Sequence, residues 1–256
     1  MHPFLLKIGN FSIYTYGFFL ATGFGAGLLL ANSEAKRLGR NPDKIMDLAF
    51  YILISAIIGS RLLYVLTNLE TFTKDPVGIF KIWEGGLVFY GGFIAGMITA
   101  IILLKKWKMD LWTIADLTAP SIAAGQFFGR IGCFSAGCCY GKICDLPWAI
   151  VFRNPDSLAP VGIPLHPTQL YHAFSNLMIF FFLWFYRKRK KFDGQLFWLY
   201  ILLYGITRAF IEIFRGDFRG YTFFNILSIS QIIGLTMAII AIIAMKVLSG
   251  NPRKCR

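Results

Sequence analysis

Seven stretches of about twenty largely apolar residues recur along the chain, near 11–33, 47–68, 86–104, 112–134, 168–186, 194–214 and 225–247. A bilayer core about 30 Å thick needs roughly 20 apolar residues per crossing helix. Each stretch is therefore long enough to span a membrane, and the pattern leaves little room for a soluble domain. Only 15% of the 256 residues are charged, against about 25% in a typical soluble protein. The 26 Phe, 11 Tyr and 6 Trp exclude a disordered chain. A nucleic-acid binder would carry its basic residues on an exposed surface, not between apolar runs. The expected fold is an all-α integral membrane protein, a single transmembrane domain of seven helices. The fourth stretch is the least regular, since it holds Pro120 among Gly and Ala. Gly92/Gly96 and Gly125/Gly129 have the spacing that lets membrane helices approach closely.

The formal net charge is +13, and its placement sets the orientation. Lys36, Arg37, Arg40, Lys44, Lys105, Lys106, Lys108, the run Arg187 to Lys191, Lys246, Arg253, Lys254 and Arg256 fall in alternate connections. The opposite connections hold only Lys7, Lys74, Lys81, Lys142, Arg153, Arg215 and Arg219. The positive-inside rule puts the first set in the cytoplasm. The N-terminus is then outside and the C-terminus inside. The start, MHPFLLKIGNF, has neither a basic n-region nor an Ala-x-Ala site, so the first stretch is expected to be retained. The longest external segment is about 135–167.

Three arginines fall inside the apolar stretches: Arg61, Arg130 and Arg208. All three lie in the outer half of their spans by this topology. An ionised side chain there is costly and points to function. Asp116 is near the inner end of its span, whereas Glu212 is four residues after Arg208 and on the same helical face. Tyr204, Arg208, Glu212 and Arg215, at spacings of four, four and three, form one polar stripe. The outer pocket thus has more cations than anions and calls for an external anion. Guanidinium groups grip phosphate in fork geometry, and a phospholipid headgroup is the phosphate at that depth. The bland alternative is that each arginine snorkels or bonds backbone carbonyls.

The segment GRIGCFSAGCCYGK, residues 129–142, brings four glycines to the external face, where backbone can approach a ligand. With IYTYG at 13–17, GSRLLYV at 59–65, WEGGLVFYGG at 83–92, LHPTQLY at 165–171 and YGITRAFIEIFR at 204–215, it resembles the prolipoprotein diacylglyceryl transferases along almost the whole length. The resemblance implies a transferase of the bacterial plasma membrane. Its partners would be phosphatidylglycerol and the lipobox of a prolipoprotein, with no cofactor, no metal and no nucleic acid. It implies catalytic roles at Arg130, Arg208, Glu212 and Tyr90. It implies substrate contacts at Tyr16, Arg61, Gly129, Gly132, Cys133, Cys138, Gly141, His166, Gln169 and Arg215. The chain departs from the family pattern at Cys133 and Ala136, usually Asn, and at Cys138, usually Glu. Tyr90 replaces a histidine assigned to activity, and His172 a glutamate. A phenol, with a reference pKa of about 10, is a poor base at neutral pH, so His166 and His172 are alternative proton acceptors. Other readings are transfer to a different acceptor, or a lipid or anion transporter or receptor.

Five cysteines stand at 133, 138, 139, 144 and 255. Cys255, in the basic tail, is expected to be an inert thiol. For the other four, packing, a disulfide from Cys144 to Cys138 or Cys139, a catalytic thiol, and a metal site with His166 or His172 all stay open.

Overall fold

A computed structural model describes residues 2–8, 11–217 and 227–250. Arg219, Arg253, Lys254, Cys255 and Arg256 lie outside the described residues. The chain begins with an antiparallel pair, β1 (Phe4–Ile8) and β2 (Phe11–Tyr14). Helices follow as α1 (Thr15–Arg37), α2 (Pro42–Thr67), a short α3 (Leu69–Lys74), α4 (Phe89–Lys106) and α5 (Leu111–Ala136). After a long connection containing β3 (Ile150–Val151) and β4 (Pro164–Leu165) come α6 (Thr168–Tyr186), α7 (Gln195–Ile211) and α8 (Ile229–Ser249). Each of the seven apolar stretches contains one long helix. The segments Pro42–Thr67, Phe89–Lys106, Gln195–Phe214 and Ile229–Ser249 are long and apolar enough to cross a membrane.

The fold departs from the expected architecture at its start. The fold is mostly helical but not all-α, because the first apolar stretch opens as a hairpin. Alternating side chains on either side of Gly9-Asn10 are a hairpin signal. The helix begins only at Thr15. Pro120 does not break α5.

The contacts divide the chain into two compact units, residues 1–31 with 115–256, and residues 32–114. In the second unit, α2 and α4 lie backbone to backbone. A Cβ on Gly92 would meet Ser60 Oγ and, at 2.8 Å, the Ala56 carbonyl, and one on Gly91 would meet the Gly59 carbonyl. Arg61 projects from α2 into the loop that follows it. Its Nε donates to Ile79 O at 2.9 Å, Nη1 to Gly85 O at 2.6 Å and Gly86 O at 3.2 Å, and Nη2 to Gly78 O at 2.6 Å. The guanidinium also faces the rings of Tyr64 and Phe72. This arginine ties down a loop by its carbonyls, which is the bland reading. It is not a spare cation for an anionic ligand.

In the first unit, Ala119, Ala123, Ile179, Leu183, Leu196 and Tyr200 make a core shared by α5, α6 and α7. Glycines bring helices together here too. A Cβ on Gly23 of α1 would stand 2.9 Å from Gly125 O of α5, and one on Gly205 of α7 would stand 2.5 Å from Gly234 O of α8. At one end of this unit Asp116, only 2% exposed, accepts from Lys190 Nζ at 3.1 Å, Gly194 N at 2.9 Å and Phe197 N at 3.0 Å. One carboxylate therefore pins the basic α6–α7 connection to α5 and satisfies amides at the start of α7. Replacing it leaves two amides at the start of α7 without their acceptor and the half-buried Lys190 ammonium with Asp193 alone, at 2.7 Å. Asp116→Ala is expected to lower stability by about 3–5 kcal/mol, read as a fall in the thermal unfolding midpoint of the protein in detergent.

Candidate active site

At the other end of the first unit, three chain segments meet through backbone hydrogen bonds. Residues 140–142 run between the entry to α6 and the exit from α7. Gly141 N donates to His166 O at 3.0 Å and His166 N to Lys142 O at 2.9 Å. On the other side Lys142 N donates to Phe214 O at 2.8 Å and Gly216 N to Tyr140 O at 3.2 Å. The middle position must be glycine. A Cβ at Gly141 would fall onto His166 Cβ, 2.5 Å from His166 O and 2.8 Å from Phe214 O. The rest of the connection is a small folded cap. Phe152, 1% exposed, packs with Ala159 and Leu165, and β3 pairs with β4.

This junction gathers the charges. Arg208, Glu212 and Arg215 descend from the end of α7, where the helix tightens into a 3-10 turn at Glu212–Phe214. Glu212 lies 3.6 Å from Arg208 and 3.7 Å from Arg215. Arg208, Glu212 and Arg215 of the stripe read from the spacing are therefore together, with Glu212 at ion-pair but not hydrogen-bond distance from both arginines. Arg215 is more firmly held by Asp217, with Nε to Oδ1 at 2.8 Å and Nη2 to Oδ2 at 2.6 Å. Arg208 has a looser set, with Ser230 Oγ at 3.4 Å. Among the described residues no hydrogen bond or ion pair engages Arg130, on the last turns of α5. Arg130, Arg208 and Arg215 all act electrostatically on His172. The third cation of the cluster is thus Arg215, which charge counting had assigned to an ordinary external loop. It is only 6% exposed, and it is the residue that ends the polar stripe begun by Tyr204, Arg208 and Glu212.

The same junction holds the thiols. Cys133, Cys138 and Cys139 have their sulfurs within 4.8 Å of one another. Tyr16 of α1 is beside them and interacts electrostatically with all three and with Arg130. Its ring lies against Gly132, where a Cβ would stand 3.2 Å from Tyr16 Cδ2. Gly129 instead faces open space, which leaves room next to Arg130. The cysteine turn is fixed by the first residues of α6. Gln169 Nε2 donates to Cys138 O at 2.9 Å and Thr168 Oγ1 to Cys139 O at 2.7 Å, both side chains being fully buried. Gln169 is thereby a positioning residue, and Thr168 is one that the motif reading passed over. The Cys139 thiol titrates below its ordinary value, since Cys133 and Cys138 both donate to it and Arg215 is hydrogen-bonded to it, with burial opposing. Cys138 is shifted up by its hydrogen bonds to Cys133 and Cys139 and by burial.

The remaining candidates are elsewhere. Cys144 is a buried thiol outside the cluster and forms no disulfide with Cys138 or Cys139. His166 hydrogen-bonds the Tyr171 hydroxyl at 3.2 Å through Nδ1. It lines an apolar groove of about 620 Å³ together with Trp148, Tyr171, Phe174, Phe210 and Phe214. It does not belong to the thiol cluster. Tyr90, at the start of α4, and Arg61 lie in the 32–114 unit, and Tyr90 is 63% exposed.

The family model of the prolipoprotein diacylglyceryl transferases matches residues 3–247. This chain belongs to that family. It is 40% identical to a phosphatidylglycerol–prolipoprotein diacylglyceryl transferase of Clostridium tetani, over 96% of this chain and 98% of the relative. A second such transferase, from Clostridium perfringens, is 36% identical over 93% of this chain and 92% of its own length. A transferase of the same name from Solidesulfovibrio magneticus is 33% identical over 93% and 91%.

In this family member the glycine at the junction is a direct test of the geometry. Gly141→Ala forces the middle segment away from His166 or Phe214. It is expected to cost about 1–3 kcal/mol and to speed the reaction of Cys139 with a thiol reagent. Unchanged stability and unchanged labelling would contradict the close packing.

Proposed function

We propose that the chain transfers the diacylglyceryl group of phosphatidylglycerol to the lipobox cysteine of a prolipoprotein in the bacterial plasma membrane. The chain crosses the membrane seven times, with its N-terminus outside. The Asp116–Lys190 end then lies at the cytoplasmic face, and the arginine and thiol end lies in the outer leaflet under the 135–167 cap. The observation that carries the reading is the imbalance of charge at that end. Asp217 answers Arg215, and Glu212 is shared at more than 3.5 Å. Arg130 and Arg208 remain as two guanidiniums with positive charge to spare.

The reaction places new negative charge where those groups are. A thiolate sulfur attacks the glyceryl carbon that carries the phosphate ester. The C–S bond forms as the C–O bond breaks, and glycerol phosphate leaves with the electron pair. Donors fixed around a leaving oxygen lower the barrier because they need no reorganisation as charge develops. Arg130 and Arg208 clamp the phosphate, Glu212 holds Arg208 at the right angle, and the Tyr16 hydroxyl donates to the headgroup. Gly129, with open space at its Cα, lets the lipid approach the α5 backbone. The groove beside His166 has the size and apolar lining of a small-molecule site and would take an acyl chain.

The test uses purified protein, phosphatidylglycerol vesicles and a lipobox peptide. Peptide that gains the mass of a diacylglyceryl group is the expected product. Arg130→Ala and Arg208→Ala should each lower turnover by about 10²–10³-fold while the unfolding midpoint stays near that of the parent. Full turnover in either variant would contradict the clamp. Phosphatidylglycerol binding without transfer would point to another acceptor.

A further inference from the structure

Cys133, Cys138 and Cys139 are not explained by the phosphate clamp. They occupy an unusual local geometry. Cys133 is on the last turn of α5, and the chain then reverses through Gly137 at φ 80° and Cys139 at φ 63°. A left-handed conformation at a non-glycine residue is strained and persists only when its surroundings enforce it. Here the enforcement is visible, since Thr168 and Gln169 hold the carbonyls of Cys139 and Cys138. The effect is to turn two adjacent side chains, which normally diverge, toward the same third sulfur. Simple packing would not require this. A disulfide between the adjacent pair is disfavoured by its geometry.

We propose that Cys133, Cys138 and Cys139 form a three-thiolate site for a thiophilic dication, zinc being the one whose chemistry fits best. Tetrahedral zinc holds sulfur at about 2.3 Å, which puts sulfurs roughly 3.8 Å apart. The three thiols, all within 4.8 Å, need to draw in by only a fraction of that separation. Metal binding displaces three protons and leaves a complex of charge −1. Arg215, hydrogen-bonded to Cys139, offsets that charge. Two buried polar atoms without partners, His172 Nε2 and Gln169 Oε1, belong to the helix that clamps the turn. The sequence spacing hid the site, because C-x4-C-C is not a zinc-finger pattern and the left-handed turn is not legible in it.

Three protein ligands leave the fourth position open, as in catalytic zinc sites. Here the proposal rests on the transferase reading. The acceptor thiol enters that position and loses its proton to water, since a metal-bound thiol is deprotonated outright. The bound thiolate then attacks the glyceryl carbon, and the neutral thioether departs from the metal. No side-chain base is required.

The experiment titrates the purified full-length protein in detergent with Zn²⁺, and with Co²⁺ as a spectroscopic stand-in. The expected result is about one ion per chain, with an intense thiolate-to-cobalt absorption. Cys133→Ser, Cys138→Ser and Cys139→Ser should each weaken binding at least ~10-fold, and Cys144→Ser should leave it unchanged. A lipobox peptide should alter the cobalt spectrum, and the same peptide with serine for cysteine should not. The unmodified chain serves as the reference if a variant fails to fold. Undiminished transfer after exhaustive chelation would overturn the metal site and leave the transferase reading intact. Metal bound through the three cysteines with no transfer from phosphatidylglycerol would overturn that reading and leave the site. A disulfide between two of the three thiols in protein isolated without reductant would overturn the site.

Discussion

Residues 140–142, hydrogen-bonded on one side to His166 and on the other to Phe214–Gly216, hold the functional end of the molecule together. Helices can be packed by apolar contact alone, but contact does not fix where their ends point. Backbone amides with no water nearby must find partners, and here the partners come from the ends of different helices. That requirement places the end of α5, the start of α6 and the end of α7 within one junction. Gly141 and Gly216 make it possible, since a Cβ at Gly141 would fall on His166 and one at Gly216 would stand 2.5 Å from Gly141 O. The arginines, the glutamate and the thiols are all within a few residues of this junction.

The two ends of the 1–31 and 115–256 unit handle charge in opposite ways. At the Asp116 end one carboxylate answers an ammonium and two amides, so the polar groups there are satisfied internally. At the other end Asp217 and Glu212 are too few for Arg130, Arg208 and Arg215. Satisfied polar groups give a rigid anchor. An excess of guanidiniums over carboxylates gives a site with room for an external anion, as the proposed function requires. Arg61 illustrates the distinction. It is more buried than Arg130 and Arg208, yet carbonyl contacts occupy four of its five donors, and its charge serves a loop.

Much of this was legible in the sequence, and for identifiable reasons. Apolar run length located the seven long helices among the described residues, four of which are long and apolar enough to cross a membrane. The i,i+4 rule found Arg208 with Glu212. What escaped depends on contacts remote in sequence. The hairpin before α1 was absorbed into an apolar stretch, since strand and helix runs look alike when short. Arg61 was grouped with the other arginines because its acceptors are backbone carbonyls, which carry no residue signature. Arg215 was counted as a loop charge although Asp217 and Glu212 bury it. The three cysteines were singled out, but their convergence depends on Cys139 adopting φ 63° under two side-chain hydrogen bonds from α6.

The central claim is that Arg130 and Arg208 await a lipid phosphate. It is tested most directly by native mass spectrometry of the protein released from mixed micelles holding equal amounts of phosphatidylglycerol and diacylglycerol of the same acyl chains. Phosphatidylglycerol should be retained in strong preference, and the preference should vanish when Arg130 and Arg208 are both changed to Gln. Equal retention of the two lipids by the unmodified chain would contradict the account, because the only difference between them is the phosphoglycerol headgroup.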